Sequence, residues 1–122
     1  MSIEAVDHGE RSAQVSNAIV GIFSECYGRG PTKAKTYMLD NYVICVLEDI
    51  LTTVERTLVD RGEEELVREV RLTFQEATAD RFKRCVADIM GREVIAHQSQ
   101  VTFHPAMGFE MFVLDEEPPT RS

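Results

Sequence analysis

A short basic segment between the first predicted helix and the first predicted strand holds the residues best suited to binding chemistry. Residues 27–38 contain three cations and no acidic side chain, in a chain whose net charge is −8. Glycines would let backbone N–H groups converge on an oxyanion there, and the cations would neutralise its charge. The segment therefore predicts an anion- or partner-binding site formed by Gly28, Arg29, Gly30, Lys33 and Lys35.

The position of this segment also allows a purely structural interpretation. A phosphate-binding loop usually follows a strand and opens a helix, whose N-terminal dipole attracts the anion. Here the segment follows a predicted helix, and the C-terminus of a helix is its negative end. In the structural interpretation, Gly28 ends the helix and the nearby cations offset its dipole. The sequence leaves both interpretations open.

The cysteines and histidines predict no reactive centre. The three cysteines are Cys26, Cys45 and Cys85, and the three histidines are His8, His97 and His104. Their spacing contains no CxxC motif and no pairing typical of zinc sites, so we interpret the cysteines as buried free thiols in a reducing compartment. Cys45 and His97 could form a nucleophile pair across the sheet, but we favour a core thiol and a hydrogen-bonded histidine. No catalytic residue, metal or cofactor is predicted.

Charge and hydropathy exclude several classes of protein. The net charge of −8 argues against non-specific nucleic-acid binding, which depends on phosphate neutralisation, and against lying on an anionic membrane surface. No apolar run approaches the roughly 20 residues that a membrane span needs, and the polar N-terminus is unlike a signal peptide. We therefore expect a cytoplasmic protein of one domain, without a nucleic-acid partner and without direct membrane insertion.

The elements around the basic segment follow from hydrophobic periodicity. After a flexible N-terminus over 1–11, an apolar stripe predicts a helix over 12–27. Two strands, 35–39 and 42–48, are joined by Asp40 and Asn41 in a predicted type I′ turn, which pairs Leu39 with Tyr42. Both faces of this hairpin are apolar, so we expect each to be covered, either by helices on both sides or by a partner on one.

The second half of the chain is predicted to be two helices and a second hairpin. Thr52 and Glu55 form a capping box that opens a short helix, and a long helix follows over 63–90. That helix would be about 42 Å long, against about 17–23 Å for a strand, so it should overhang the sheet, bend or meet another subunit. Its predicted apolar stripe is Leu66, Val67, Val70, Phe74, Ala77, Phe82, Cys85, Val86 and Ile89.

The last hairpin completes the predicted fold. Its strands are 93–103 and 109–115, with the turn at 104–108, a bulge expected at 98–100 and a disordered tail over 116–122. The element order is then α-β-β-α-α-β-β. This order predicts an α+β domain over 12–115, in which a long helix packs on a four-stranded antiparallel sheet.

Four segments carry a resemblance to a known family. They are 16–20 (Ser-Asn-Ala-Ile-Val), 27–31 (Tyr-Gly-Arg-Gly-Pro), 36–40 (Thr-Tyr-Met-Leu-Asp) and 46–52 (Val-Leu-Glu-Asp-Ile-Leu-Thr), the last followed by Glu55 and Leu58. Together they resemble the MpsC-type family of small bacterial proteins. The family is named after a membrane-potential-generating system whose membrane components are similar to inorganic-carbon and cation transporters. The resemblance implies a soluble accessory component and supplies no active site. Residues 96–100 lack the acidic residue that the resemblance leads us to expect near the bulge.

Two hypotheses of different classes follow. In the first, the chain is a non-enzymatic interaction module, a homodimer or a subunit that docks on a membrane transport system or a signalling protein, peripheral to a membrane complex. In the second, it is a sensor or enzyme that acts on a small anion such as bicarbonate, phosphate or a nucleotide through Arg29, Lys33 and Lys35. The two apolar faces of the first hairpin favour the interaction module, and the local positive charge favours the anion hypothesis.

Overall fold

The computed structural model describes residues 2–116, with side chains from Gly9 onward. Its elements have the predicted order and form an α+β fold: α1 (Ser2–Tyr27), β1 (Lys33–Leu39), β2 (Tyr42–Glu48), α2 (Thr53–Asp60), α3 (Glu64–Met90), β3 (Val94–Phe103) and β4 (Ala106–Leu114). Helix α1 begins at Ser2, earlier than the predicted start at 12. The predicted disordered tail lies outside the described residues after 116.

Helix ends follow the residue types that the sequence places there. Gly28 and Gly91 have φ angles of +82° and +68°, the left-handed conformation that ends α1 and α3. Helix α2 opens with the predicted capping box, in which the Thr52 side chain accepts from the backbone N–H of Glu55 and the Glu55 carboxylate accepts from that of Thr52.

The four strands form one antiparallel sheet in the order β1-β2-β4-β3. The predicted register of the first hairpin is confirmed, with Leu39 opposite Tyr42 and Thr36 opposite Cys45. The predicted type I′ turn is wrong, because Asp40 has a φ of +54° but Asn41 has no positive φ.

The second hairpin differs from its prediction in two places. Strand β4 begins at Ala106, so the turn between the strands is shorter than the predicted 104–108. The register irregularity lies between Val94 and Ala96 rather than at 98–100, so the polar residues there continue the regular pairing with β4. A polar run in a strand was therefore not a sign of a bulge.

The core lies between one face of the sheet and the helices α1 and α3. Helix α1 packs on β1, and α3 packs on β3 and β4. The largest apolar side chains that are fully buried there are Val15 and Ile19 of α1, Val67 and Val86 of α3, and Val43, Leu47, Phe112 and Leu114 of the sheet. Both helices thus cover the same face, which we call the inner face.

Helix α3 buries only part of the predicted stripe in its first half, where Val67 is buried as predicted. Leu66 and Val70 are 44% and 54% exposed and Ala77 is also exposed, while Arg71 between them is buried. The buried residues are Val67, Arg71, Phe82, Val86 and Met90, with spacings of four, eleven, four and four, and each spacing of four rotates the buried direction by about 40°. A single straight stripe therefore does not describe this helix. Phe82 and Val86 of the predicted stripe are buried as expected.

Candidate functional site

The guanidinium of Arg29 is engaged in the fold. Its Nη1 donates to the backbone carbonyls of Asp49, at 3.0 Å, and Leu51, and its Nη2 donates to the Asp49 carboxylate at 3.2 Å. Arg56 binds the same carboxylate at 3.0 Å. Hydrogen bonds from Arg56 and the nearby charge of Arg29 hold the pKa of Asp49 below its usual value. Arg29 thus fastens the loop before α2 to the end of α1.

The remaining residues of the basic segment lie apart from this contact. A Cβ added to Gly30 would lie 2.6 Å from the Ser24 Oγ of α1, so the backbone there packs closely against the helix. Lys33 and Lys35 lie in β1 with exposed side chains. In the structure, Arg29 therefore binds the loop before α2, whereas the two lysines lie on the sheet. Anion binding at this segment stays a prediction.

The sheet face opposite the inner face carries no covering element among residues 2–116. Tyr37, Leu39, Tyr42 and Met111 on this face are 51%, 66%, 44% and 41% exposed. A sandwich of the first hairpin between helices on both sides is therefore wrong. We call this surface the open face, and its apolar residues are Tyr37, Leu39, Tyr42, Ile44, Val46, Met107, Phe109, Met111 and Val113.

The open face has an apolar centre and polar edges. On the β1 edge Lys33 and Lys35 precede the exposed aromatic Tyr37, and the exposed Glu48 of β2 lies opposite Lys33. On the β3 edge lie the neutral side chains of Gln98 and Gln100. Four strands about 4.8 Å apart, at about 3.3 Å per residue over seven residues, give a flat footprint of roughly 440 Å². The whole face, polar edges included, thus lies within the roughly 300–600 Å² of the largest apolar patch on a typical monomer, and such patches are often interaction sites.

A buried ion pair joins α2 to α3. The Arg71 side chain is 1% exposed and donates to both oxygens of Glu55, from Nε at 2.8 Å and from Nη2 at 2.7 Å. It also donates to the Ile50 carbonyl at 2.9 Å and lies 4.2 Å from the centroid of the Tyr27 ring. Sequence periodicity missed this contact because it treats arginine as a surface residue.

A row of polar side chains crosses the inner face. Strand register places Thr36, Cys45, Glu110 and Ser99 side by side on the four strands. Glu110 is 1% exposed, and its Oε1 lies 2.7 Å from the Nε2 of His97 and 2.6 Å from the Ser99 hydroxyl, which donates to it. Glu110 thus supplies from β4 an acid that residues 96–100 lack. The sequence contains Glu110, but only the pairing of β3 with β4 shows that it lies beside His97.

This polar row has the geometry of a closed hydrogen-bond cluster. The Ser99 Oγ lies 3.4 Å from the His97 Nε2 but donates to Glu110, so the histidine is not placed to activate the hydroxyl as a nucleophile. Burial raises the pKa of the Cys45 thiol to about 11, which keeps it protonated and unreactive. The predicted core thiol at Cys45 and hydrogen-bonded histidine at His97 are confirmed. Cys26 and Cys85 are only partly buried, so the prediction of three buried thiols is wrong for these two. A cleft of about 200 Å³ between α3 and β3 borders His97 and Ser99.

Two further observations bear on function. Among the side chains described, those of residues 9–116, no three of His, Cys, Asp or Glu are grouped so that they could hold a metal ion. None of the helices described has the length and hydropathy needed to cross a bilayer.

Comparison with known proteins gives one match. A family model described as "Na+-translocating membrane potential-generating system (MpsC)" matches residues 7–116, nearly the whole chain. Neither the curated proteins nor the solved structures give a significant match.

Proposed function

The chain belongs to the MpsC family, and from this membership we propose that it is a non-enzymatic accessory subunit that works as a homodimer joined through the open face. In this proposal it is a cytoplasmic protein, peripheral to a membrane system that transports cations or inorganic carbon, or to a signalling protein. The family description supports the link to a membrane-potential-generating system, and the uncovered apolar sheet face supports the role in protein association.

The open face carries the proposal because covering it removes a large apolar surface from water. Sheets pack face to face about 10 Å apart, with their inward side chains interdigitating. Two sheets of roughly 440 Å² each, stacked face to face, cover roughly 900 Å² of flat area, without the extra area of the side chains that project from them. This area exceeds that of most crystal-packing contacts. The accessible area is larger than this flat value because Tyr37, Leu39 and Tyr42 stand well off the sheet.

A second copy suits this face in charge as well as in shape. A two-fold axis parallel to the strands, midway between two stacked sheets, places β1 of one copy over β3 of the other. By strand register, Lys33 of one copy then lies opposite Thr102 of the other copy, and Lys35 lies opposite Gln100, so both lysines meet neutral side chains. Like charges are not opposed, and the apolar centres of β2 and β4 lie against each other.

Light scattering with size-exclusion chromatography tests the proposal. We expect the wild-type chain to elute at twice the monomer mass, and Met111→Lys, at the centre of the face, to elute as a monomer. Val54→Lys is the matched control, because Val54 is 69% exposed on α2 and away from the sheet. A wild-type monomer, or a Met111→Lys variant that remains dimeric, would contradict association through the open face.

A further inference from the structure

A second unpartnered apolar surface lies on α3, away from the sheet. Leu66, Val70, Thr73 and Ala77 are separated by four, three and four residues, the spacing of the contact positions in helix pairs. Leu66 and Val70 are 44% and 54% exposed, and Thr73 and Ala77 are exposed as well. Together with Phe74 at their border with the core, we call these residues the α3 stripe.

The α3 stripe has the shape that a second helix needs. Val70, Thr73, Phe74 and Ala77, with Glu69, line a shallow groove, and the small side chains of Thr73 and Ala77 let a helix backbone approach closely. Phe74 is held by the Tyr27 ring, with centroids 4.8 Å apart. Eleven residues separate the ends of the stripe, which corresponds to about 16 Å, or three helical turns.

The charges around the α3 stripe decide what kind of helix fits. Glu69 and Glu76, seven residues apart, lie along one side of it and make no ion pair within the described part of the chain. On α3, Glu65 lies 3.6 Å from Arg68 and Asp80 lies 3.7 Å from Lys83. A second copy of α3 would bring the same acids together, and like charges across an interface are unfavourable. A helix with lysine or arginine beside its apolar stripe would complement both the groove and its rim.

We propose that the α3 stripe docks a Lys/Arg-rich amphipathic helix of a membrane partner. The inference rests on the proposed function and names the chemistry of the partner. Membrane proteins concentrate lysine and arginine in their cytoplasmic segments, and helix-in-groove recognition uses apolar anchors at helical spacing. Because α3 packs on the inner face of the sheet, a dimer through the open face leaves the α3 stripe accessible.

A synthetic peptide tests this inference on the full chain. The probe is a fluorescent amphipathic peptide of about 16 residues, long enough to cover the stripe as a helix, with leucine along one face and lysine elsewhere. A scrambled peptide of the same composition controls for simple attraction to an acidic protein. Val70→Asp is compared with Leu72→Asp, because the two residues are 54% and 53% exposed on different sides of α3 and both variants add the same charge.

We expect saturable binding in fluorescence anisotropy that weakens with salt, is lowered about tenfold or more by Val70→Asp, and is unchanged by Leu72→Asp. Equal binding of the scrambled peptide, equal weakening in both variants, or no saturable binding would overturn the inference. Light scattering on the same samples reports the dimer separately. A dimeric wild-type chain that does not bind the peptide therefore refutes the docking role of the α3 stripe alone, whereas a monomeric wild-type chain refutes the proposed association.

Discussion

Replacing Glu55 with glutamine tests how the loop before α2 and the helix α3 are held together. The glutamine keeps the size of the side chain and an oxygen that accepts hydrogen bonds, but it removes the negative charge that faces Arg71. Arg71 is 1% exposed, so its cation would then be buried without a carboxylate beside it, next to the Ile50 carbonyl, the Tyr27 ring and one amide oxygen. The perturbation thus keeps the size of the side chain but removes the charge and one of the two acceptor oxygens.

The expected cost is about 3 kcal/mol at neutral pH. Removing one partner of a buried ion pair typically costs about 3–5 kcal/mol. We place Glu55→Gln at the low end because the amide oxygen still accepts a hydrogen bond from Arg71, and the cation keeps its contact with Tyr27. Since domains of this size are stable by about 5–15 kcal/mol, the loss should shift the denaturation midpoint clearly without preventing folding.

The pH dependence of the loss gives a second readout. Burial raises the pKa of Glu55, but hydrogen bonds from Arg71 and Thr52 outweigh it and leave the pKa below its ordinary value of 4.5. A carboxyl with a depressed folded pKa stabilises the protein above its unfolded pKa, and this stabilisation is lost as the pH falls through the folded pKa. The difference between wild type and Glu55→Gln should therefore be constant near neutral pH and shrink only below about pH 4.5.

Urea denaturation of both chains across this pH range measures the effect. Glu65→Gln is the matched control, because Glu65 pairs with Arg68 at 3.6 Å but its side chain is 90% exposed, and such surface pairs contribute about 0–1 kcal/mol. A cost below about 1 kcal/mol for Glu55→Gln at neutral pH, or one equal to that of Glu65→Gln, would refute the assignment of the buried pair as a stabilising contact.

Three further predictions concern the basic segment, the core thiol and a helix end. Arg29→Ala should lower the free energy of unfolding by about 1–3 kcal/mol because three hydrogen bonds are lost. Lys35→Ala should change it by less than about 0.5 kcal/mol. A larger loss for Lys35→Ala than for Arg29→Ala in urea denaturation would contradict this. Cys45 should react with a disulfide reagent only as fast as the chain unfolds, whereas Cys26, which is half-buried, should react sooner. Gly28→Ala should cost about 1 kcal/mol in the same denaturation assay, since its φ is +82°, and no loss would contradict a left-handed helix end there.

Local signals predicted the parts of the fold that depend on neighbours in the chain. The capping box at Thr52 and the helix ends at Gly28 and Gly91 were predicted from single residues whose backbone preferences are strong. The register of the first hairpin followed from its two-residue connection at Asp40 and Asn41, because that length fixes which residues face each other. The turn type was nevertheless wrong, because Asp40 alone adopts the left-handed conformation.

The parts that the sequence did not predict depend on contacts between distant elements. Arg71 could be recognised as buried only once Glu55 and Tyr27 were known to surround it, and these residues lie on three different helices. Glu110 could be joined to His97 only through the pairing of β3 with β4. The role of Arg29 changed for the same reason, since its carbonyl and carboxylate partners come from the loop after β2.

The apolar residues that the fold leaves uncovered are the ones that sequence patterns assigned to buried surfaces. The first hairpin was predicted to be covered on both faces, and the structure covers one of them; α3 was predicted to bury Leu66 and Val70, and the structure exposes both. The exposed area of an apolar side chain does not contribute to the stability of the fold. If another chain covers that area, the association is stabilised in proportion to the area removed from water. The two surfaces differ in the charge at their edges, because the open face carries two lysines beside Glu48, whereas Glu69 and Glu76 lie beside the α3 stripe. That difference supports a second copy on the first surface and a basic partner on the second.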